Sequence, residues 1–305
     1  MGLLALERPA FSGHETFPFR YTWLKKALDG VEQDPWLFLQ EDALVRLGVG
    51  KNMVKSMLHW GLSCGVLEQQ QGEGRKPGQV VPTELGKSLL ADDGWDPYLE
   101  DPATLWMLHW RIASVPDNCS TWFFVFNELG DTRFTRVGLV EHLLAVARQR
   151  GWKKVSDASL KRDVDTFMRS YVPANTGRRG RSVEDFLDCP LFELKLIRDV
   201  GNSTYELVRE ARPTLPDEIF AHALAEYIQR NKANANTVSM EEIQFAEGSP
   251  GRVFMLDSQS IFERAERLGS LSNRGWSFDD TAGLSQVLIH RRVQPETFLR
   301  AYYSA

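Results

Sequence analysis

The run from Gln40 to Glu68, QEDALVRLGVGKNMVKSMLHWGLSCGVLE, constrains what this chain can fold into more than any other stretch. Leu44, Val45 and Leu47 predict a short first helix, Gly48 and Gly50 flank a tight turn, and a second helix starts at Lys51. On that second helix Val54, Met57, Leu58 and Gly61 recur at helical spacing, the pattern of a burying stripe. Asn52, Lys55, Ser56 and His59 fall at i, i+3, i+4 and i+7 on the other side, with Lys51 at the helix start and no acid among them. Such a stripe is either the solvated face of an ordinary amphipathic helix or a face that donates to phosphates and base edges. The segment that follows favours the second reading. Val66-Leu67-Glu68 and Val80-Val81-Pro82 predict two short strands around a Gly- and Pro-containing tip, where Arg75 and Lys76 put charge within reach of a DNA backbone. Thr83 then caps a helix through Leu90.

The same design recurs from Phe134 to Arg209. Val137, Val140, Leu144 and Ala147 mark a helix, and Ser156 or Asp157 caps a second one burying Leu160, Val164, Phe167, Met168 and Tyr171. The other face of that second helix offers Lys161, Arg162, Thr166 and Arg169. Asp163 and Asp165 stand two residues apart, so they point about 200° apart and do not chelate one ion together. Asp165 is expected to pair with Lys161 and Arg169. A basic loop with Arg178, Arg179 and Arg181 follows, suited to a phosphate clamp, and a hairpin of Phe192–Arg198 and Thr204–Arg209 closes the unit. A third pass carries caps at Ser239 and Asp257 and a hairpin from Trp276 to His290. Its second helix exposes Gln259, Glu263, Glu266 and Arg267, whose acids would repel phosphate. The expectation is a mainly α chain with small β-hairpins (α+β), built of tandem winged-helix-like units over residues 1–115, 116–212 and 213–305.

Composition narrows the function classes. A net charge of −5 over 305 residues means that nucleic-acid contact has to come from local basic patches on an acidic body. Cys64, Cys119 and Cys189 are far apart and form no CxxC pair, which speaks for a reducing cytoplasm rather than a disulfide framework or zinc site. There is no run long enough to span a membrane and no export leader of the usual kind. No GxSxG, Walker loop, HExxH or dinucleotide fingerprint occurs. His14-Glu15, in the opening block FSGHETFPFR, is an adjacent His–carboxylate pair, open to a proton-transfer role or to capping a helix that Pro18 would start.

Taken together, FSGHETFPFR, LGVGKNMVKSMLHW, TELGKSLL with DPYLEDPATLWMLHW, SLKRDVDTFMRSYVP and EDFLDCPLFEL occur in an order that resembles the bacterial DUF4007 family. The resemblance implies a place in DNA phosphorothioation defence systems, as the nicking component. Partners would be a cysteine desulfurase, an ATPase and a PAPS-reductase-like enzyme, besides DNA. A nickase would need a divalent metal, Mg or Mn; a module that only binds DNA and recruits the sulfur-transfer enzymes would need none. The family motifs name no catalytic residue, so His14 and Glu15 are candidates by their place in the most distinctive block.

Overall fold

Three small antiparallel sheets, of two, three and three strands, punctuate a chain that is otherwise mostly helical. The structure, a computed structural model, describes residues 9–72, 77–117, 119–153, 155–173, 189–281 and 283–304. In the first unit α1 (Tyr21–Gln33), α2 (Ala43–Leu47) and α3 (Lys51–Ser63) precede β1 (Leu67–Gln69) and β2 (Val80–Pro82), and α4 (Glu84–Leu90) returns across them. The turn between α2 and α3 rests on Gly48, whose φ of +64° lets its N–H reach the carbonyls of Leu44 and Val45. Ala43 and Leu47 are the buried residues of α2, while Leu44 and Val45 face outward. Pro18 does not open a helix: it is buried ahead of α1, which starts at Tyr21 without a side-chain cap. The Thr83 cap is present, its hydroxyl accepting from the Gly86 N–H at 2.9 Å.

Between the first two units lie α5 (Pro102–Ala113) and α6 (Ser120–Asn127), both apolar almost all round, with Trp106, Trp110 and Trp122 fully buried. The second unit runs β3 (Arg133–Thr135), α7 (Arg136–Gln149), α8 (Asp157–Tyr171), β4 (Ile197–Gly201) and β5 (Thr204–Leu207). Its hairpin starts later than the sequence pattern suggests, because Pro190–Leu194 forms a 3-10 turn. Val137 lies outside the buried face of α7, which is made by Leu139, Val140, Leu143, Val146 and Ala147. The third unit repeats the order. After α9 (Asp217–Asn231) come β6 (Thr237–Ser239), α10 (Met240–Phe245), α11 (Pro250–Val253), α12 (Ser258–Leu271), β7 (Trp276–Thr281), β8 (Leu284–Ile289) and α13 (Pro295–Tyr303). In both three-stranded sheets the last strand is central, flanked by the strand that precedes the helices and by its hairpin partner. Ser239 and Glu242 form a reciprocal capping box, and Asp257 caps α12 through the Ser260 N–H.

The buried side chains of all three units merge into one continuous core. Asn127 ties its middle together. Its amide nitrogen donates to the carbonyls of Ala113 and Phe123, each at 2.9 Å, and its oxygen accepts the Gly248 N–H at 2.8 Å. Asn127→Ala would leave a buried N–H and carbonyls unpaired, at about 1–3 kcal/mol for each unsatisfied group. The expected outcome is a loss of roughly 3 kcal/mol in a urea titration, against near-neutral change at an exposed control such as Asn52→Ala.

Candidate nucleic-acid interface

The opening block folds into a tight loop that lies between α3 and α8. Ser12, Glu15 and Thr16 take φ values of +65°, +47° and +70°, a region that β-branched threonine in particular avoids. What holds the loop there is a buried carboxylate on α8. Asp163 Oδ1 accepts the Ser12 N–H at 2.5 Å and lies 2.8 Å from His14 Nε2, and Oδ2 accepts the Thr121 hydroxyl at 2.5 Å. The His14 ring stacks against Trp60 at 6.1 Å and meets Trp122 edge-on at 5.8 Å. Further along, the Phe17 carbonyl accepts from Trp60 Nε1 at 2.9 Å and from the Ser56 hydroxyl at 3.3 Å.

These contacts redraw the polar stripe of α3. Ser56 is fully buried under the loop and does not face outward. His59 is half-buried: Gly13 runs over its ring so closely that a Cβ would lie 2.5 Å from Nδ1. On the other side Cys119 Sγ stands 3.7 Å from its Nε2. Burial, with the His14 ring beside it, holds His59 down at about 4, so the ring is neutral. Lys51, Asn52 and Lys55 remain exposed, and Lys55 Nζ pairs with Glu15 Oε1 at 3.0 Å.

On α8, Lys161, Arg162 and Arg169 are exposed, whereas Thr166 is buried and donates back to the Arg162 carbonyl. Lys161 pairs with Asp157 at 2.6 Å, and the Asp165 carboxylate pairs with Arg136 at 2.8 Å rather than with the cations at i±4, Arg169 Nε reaching only the Asp165 main-chain carbonyl at 3.4 Å. The Arg169 guanidinium donates to the Thr16 carbonyl and to Thr166 Oγ1. One loop therefore touches a cation from each helix: Lys55 through the Glu15 carboxylate and Arg169 through the Thr16 carbonyl. Arg75, Lys76, Arg178, Arg179 and Arg181 lie outside the described residues.

The arrangement leaves His14 no free lone pair. The Thr16 N–H points to its Nδ1 at 3.2 Å, which puts the ring proton on Nε2, donating to Asp163. Both Asp163 oxygens accept hydrogen bonds, two at Oδ1 and one at Oδ2, and Glu15 Oε1 faces an ammonium. Among the described residues no three His, Cys, Asp or Glu side chains converge as a metal cage. The pair His14-Glu15 thus parts company: His14 holds the loop, and Glu15 faces Lys55.

Asp163, Thr121 and Ser159, whose hydroxyl meets that of Ser12 at 2.8 Å, are the site residues that the sequence reading misses. A signal was there for Asp163. It sits at helical spacing inside the buried stripe of Leu160, Val164 and Phe167, where an acid needs partners to be tolerated.

The family model described as "Protein of unknown function (DUF4007)" matches residues 11–303. The chain belongs to the DUF4007 family. Two solved structures resemble this DUF4007 protein over 97% of its chain and 88% of theirs, at 31% identity. One is titled "SspB crystal structure", with a TM-score of 0.88; the other is titled "Magnesium ion-bound SspB crystal structure", with a TM-score of 0.86. No functionally curated protein matches the chain. The described residues include no helix long and apolar enough to cross a membrane, and Cys64, Cys119 and Cys189 are buried free thiols.

A neutral buried imidazole binds its proton more weakly than in the unfolded chain, where its ordinary value is 6.5. Stability from His59 is therefore fully present above 6.5 and is lost as pH falls toward about 4, because the unfolded state takes up the proton first. His109, held at about 3 by burial, adds to the same loss. Urea titrations across this window should show the decline, and His59→Gln should flatten it by roughly 1–3 kcal/mol.

Proposed function

We propose that this chain is the DNA-engaging component of a DNA phosphorothioation system, with α3 and α8 as the DNA-facing helices of winged-helix units. The observation that supports this most directly is the exposed basic face on the two sides of the Ser12–Phe17 loop. Lys51, Asn52 and Lys55 come from one helix and Lys161, Arg162 and Arg169 from the other. Exposed cations and amides of this kind suit phosphate contacts that set register on a duplex. The kinship with SspB structures over nearly the whole chain supports the system assignment. In this reading the protein positions DNA for sulfur-inserting partners of the cysteine-desulfurase, ATPase and PAPS-reductase-like types, as a DNA-binding protein of the cytoplasm.

A second reading, that it also nicks the strand it holds, is favoured by one specific observation: a similar structure is titled as magnesium-bound. His14 has both ring nitrogens engaged within the loop network, whereas Glu15, paired with Lys55 through one oxygen and one-third exposed, remains the candidate of the two for that chemistry. Incubation of purified protein with supercoiled plasmid, with Mg²⁺, with Mn²⁺ and with EDTA, separates the readings. Metal-dependent conversion to open circles supports nicking, and binding without conversion supports recruitment alone. His14→Ala should lower thermal stability yet leave any nicking by the folded fraction at full specific activity. Abolished nicking in a mutant of unchanged stability would return His14 to the catalytic role.

DNA engagement itself is tested by Lys55→Glu, which should weaken duplex binding on the order of tenfold at low salt with the fold intact. Unchanged affinity would remove α3 from the interface. Arg178, Arg179 and Arg181 are proposed, from the sequence, as a phosphate clamp. Changing all three to Ala should flatten the dependence of log K on log salt by about two to three units, since each phosphate contact contributes roughly 0.9. The loss should be about equal for all duplex sequences, and parallel slopes would exclude the clamp.

A further inference from the structure

We infer that Glu15 occupies, in the DNA-free protein, the position at Lys55 that a backbone phosphate takes in the complex, so the loop carries a competitor for its own ligand. The inference rests on the DNA-engaging reading above. The outer stripe of α3 contains no acid of its own. Among the described residues the carboxylate paired with Lys55 is that of Glu15, delivered from the Ser12–Phe17 loop, with Oε1 at 3.0 Å from Nζ. That delivery uses a backbone in the left-handed region at both Glu15 and Thr16. Conformations of this kind persist where the surroundings over-determine them, and here Asp163, His14 and Arg169 do so.

The geometry also limits what must move. Lys55 and Glu15 side chains keep 56% and 34% of their surface accessible, so the ammonium can exchange one oxygen partner for another without opening the core. The carbonyl of the next residue, Thr16, holds Arg169 from α8. Two neighbouring loop oxygens thus engage one cation from each helix, as phosphate oxygens would. Binding exchanges the Glu15 contact for a phosphate contact, and the net gain at Lys55 is reduced by the pair that is broken.

The test is fluorescence anisotropy of a fluorescein-labelled mixed-sequence duplex with the full chain as wild type, Glu15→Gln, Lys55→Gln and the double variant. Glu15→Gln should bind roughly two- to fivefold tighter at low salt, the range of an exposed ion pair, and the gain should shrink as salt rises. In the Lys55→Gln background the gain should vanish. Glu15→Asp keeps the charge, tolerates the left-handed backbone and withdraws the carboxylate from Lys55, so it should also bind tighter; it serves if the glutamine variant folds poorly. A glutamine variant no tighter than wild type, or one whose gain survives loss of Lys55, overturns the inference while leaving DNA engagement standing. A wild-type chain that fails to bind duplex at all overturns both.

Discussion

The Asp163 carboxylate joins segments that the chain keeps far apart. It draws the Ser12 N–H and the His14 ring from the N-terminal loop and the Thr121 hydroxyl from α6 onto α8. A carboxylate with 1% exposure is tolerated only when it is hydrogen-bonded, and here both oxygens accept. The N-terminus is fastened to α6 a second time, where Ala10 N–H donates to Ser120 Oγ at 2.8 Å and Ser120 N–H to the Ala10 carbonyl at 3.2 Å. Because Trp60 and Ser56 of α3 hang from the Phe17 carbonyl of the same loop, the position of α3 relative to α8 depends on this one buried charge and its donors.

Charge is then distributed unevenly over a chain whose total is −5. The corresponding helix of the third unit, α12, turns Gln259, Glu263 and Glu266 outward, and its Arg264 and Arg267 are both committed to Asp217. Of the three helices only α3 carries cations, Lys51 and Lys55, with no acid of its own, whereas the exposed cations of α8 share their helix with Asp157 and Asp165.

Much of the fold was legible in the sequence, and for identifiable reasons. Caps such as Thr83, Ser239 and Asp257 use side-chain chemistry that acts within three residues, so local letters report them. The hairpins after α3, α8 and α12 were readable from the same kind of short-range pattern. Failures came where long-range contacts decide. Ser56 and His59 look solvent-facing on a helical wheel, yet a loop some forty residues earlier covers them. Asp165 has a sequence neighbour of the right charge on either side at i±4, but Arg136 on α7 takes it. His14 and Glu15 are adjacent in sequence and serve unrelated partners, because the left-handed turn at Glu15 sends the two side chains apart, one into the core and one to Lys55.

The strained loop has a mechanical consequence for the proposed role. Were α3 and α8 joined by a free linker, each could seek its own stretch of groove and the duplex would stay straight. They are instead locked through backbone and carboxylate hydrogen bonds to a loop in which three non-glycine residues hold positive φ. DNA is also stiff, with a persistence length of about 50 nm. Two stiff bodies meeting over an extended face fit only where their shapes agree or where the duplex deforms at an energetic cost that depends on its sequence. On this reading the hydrogen bonds built around Asp163 fix how the cations of α3 and α8 are presented to a duplex.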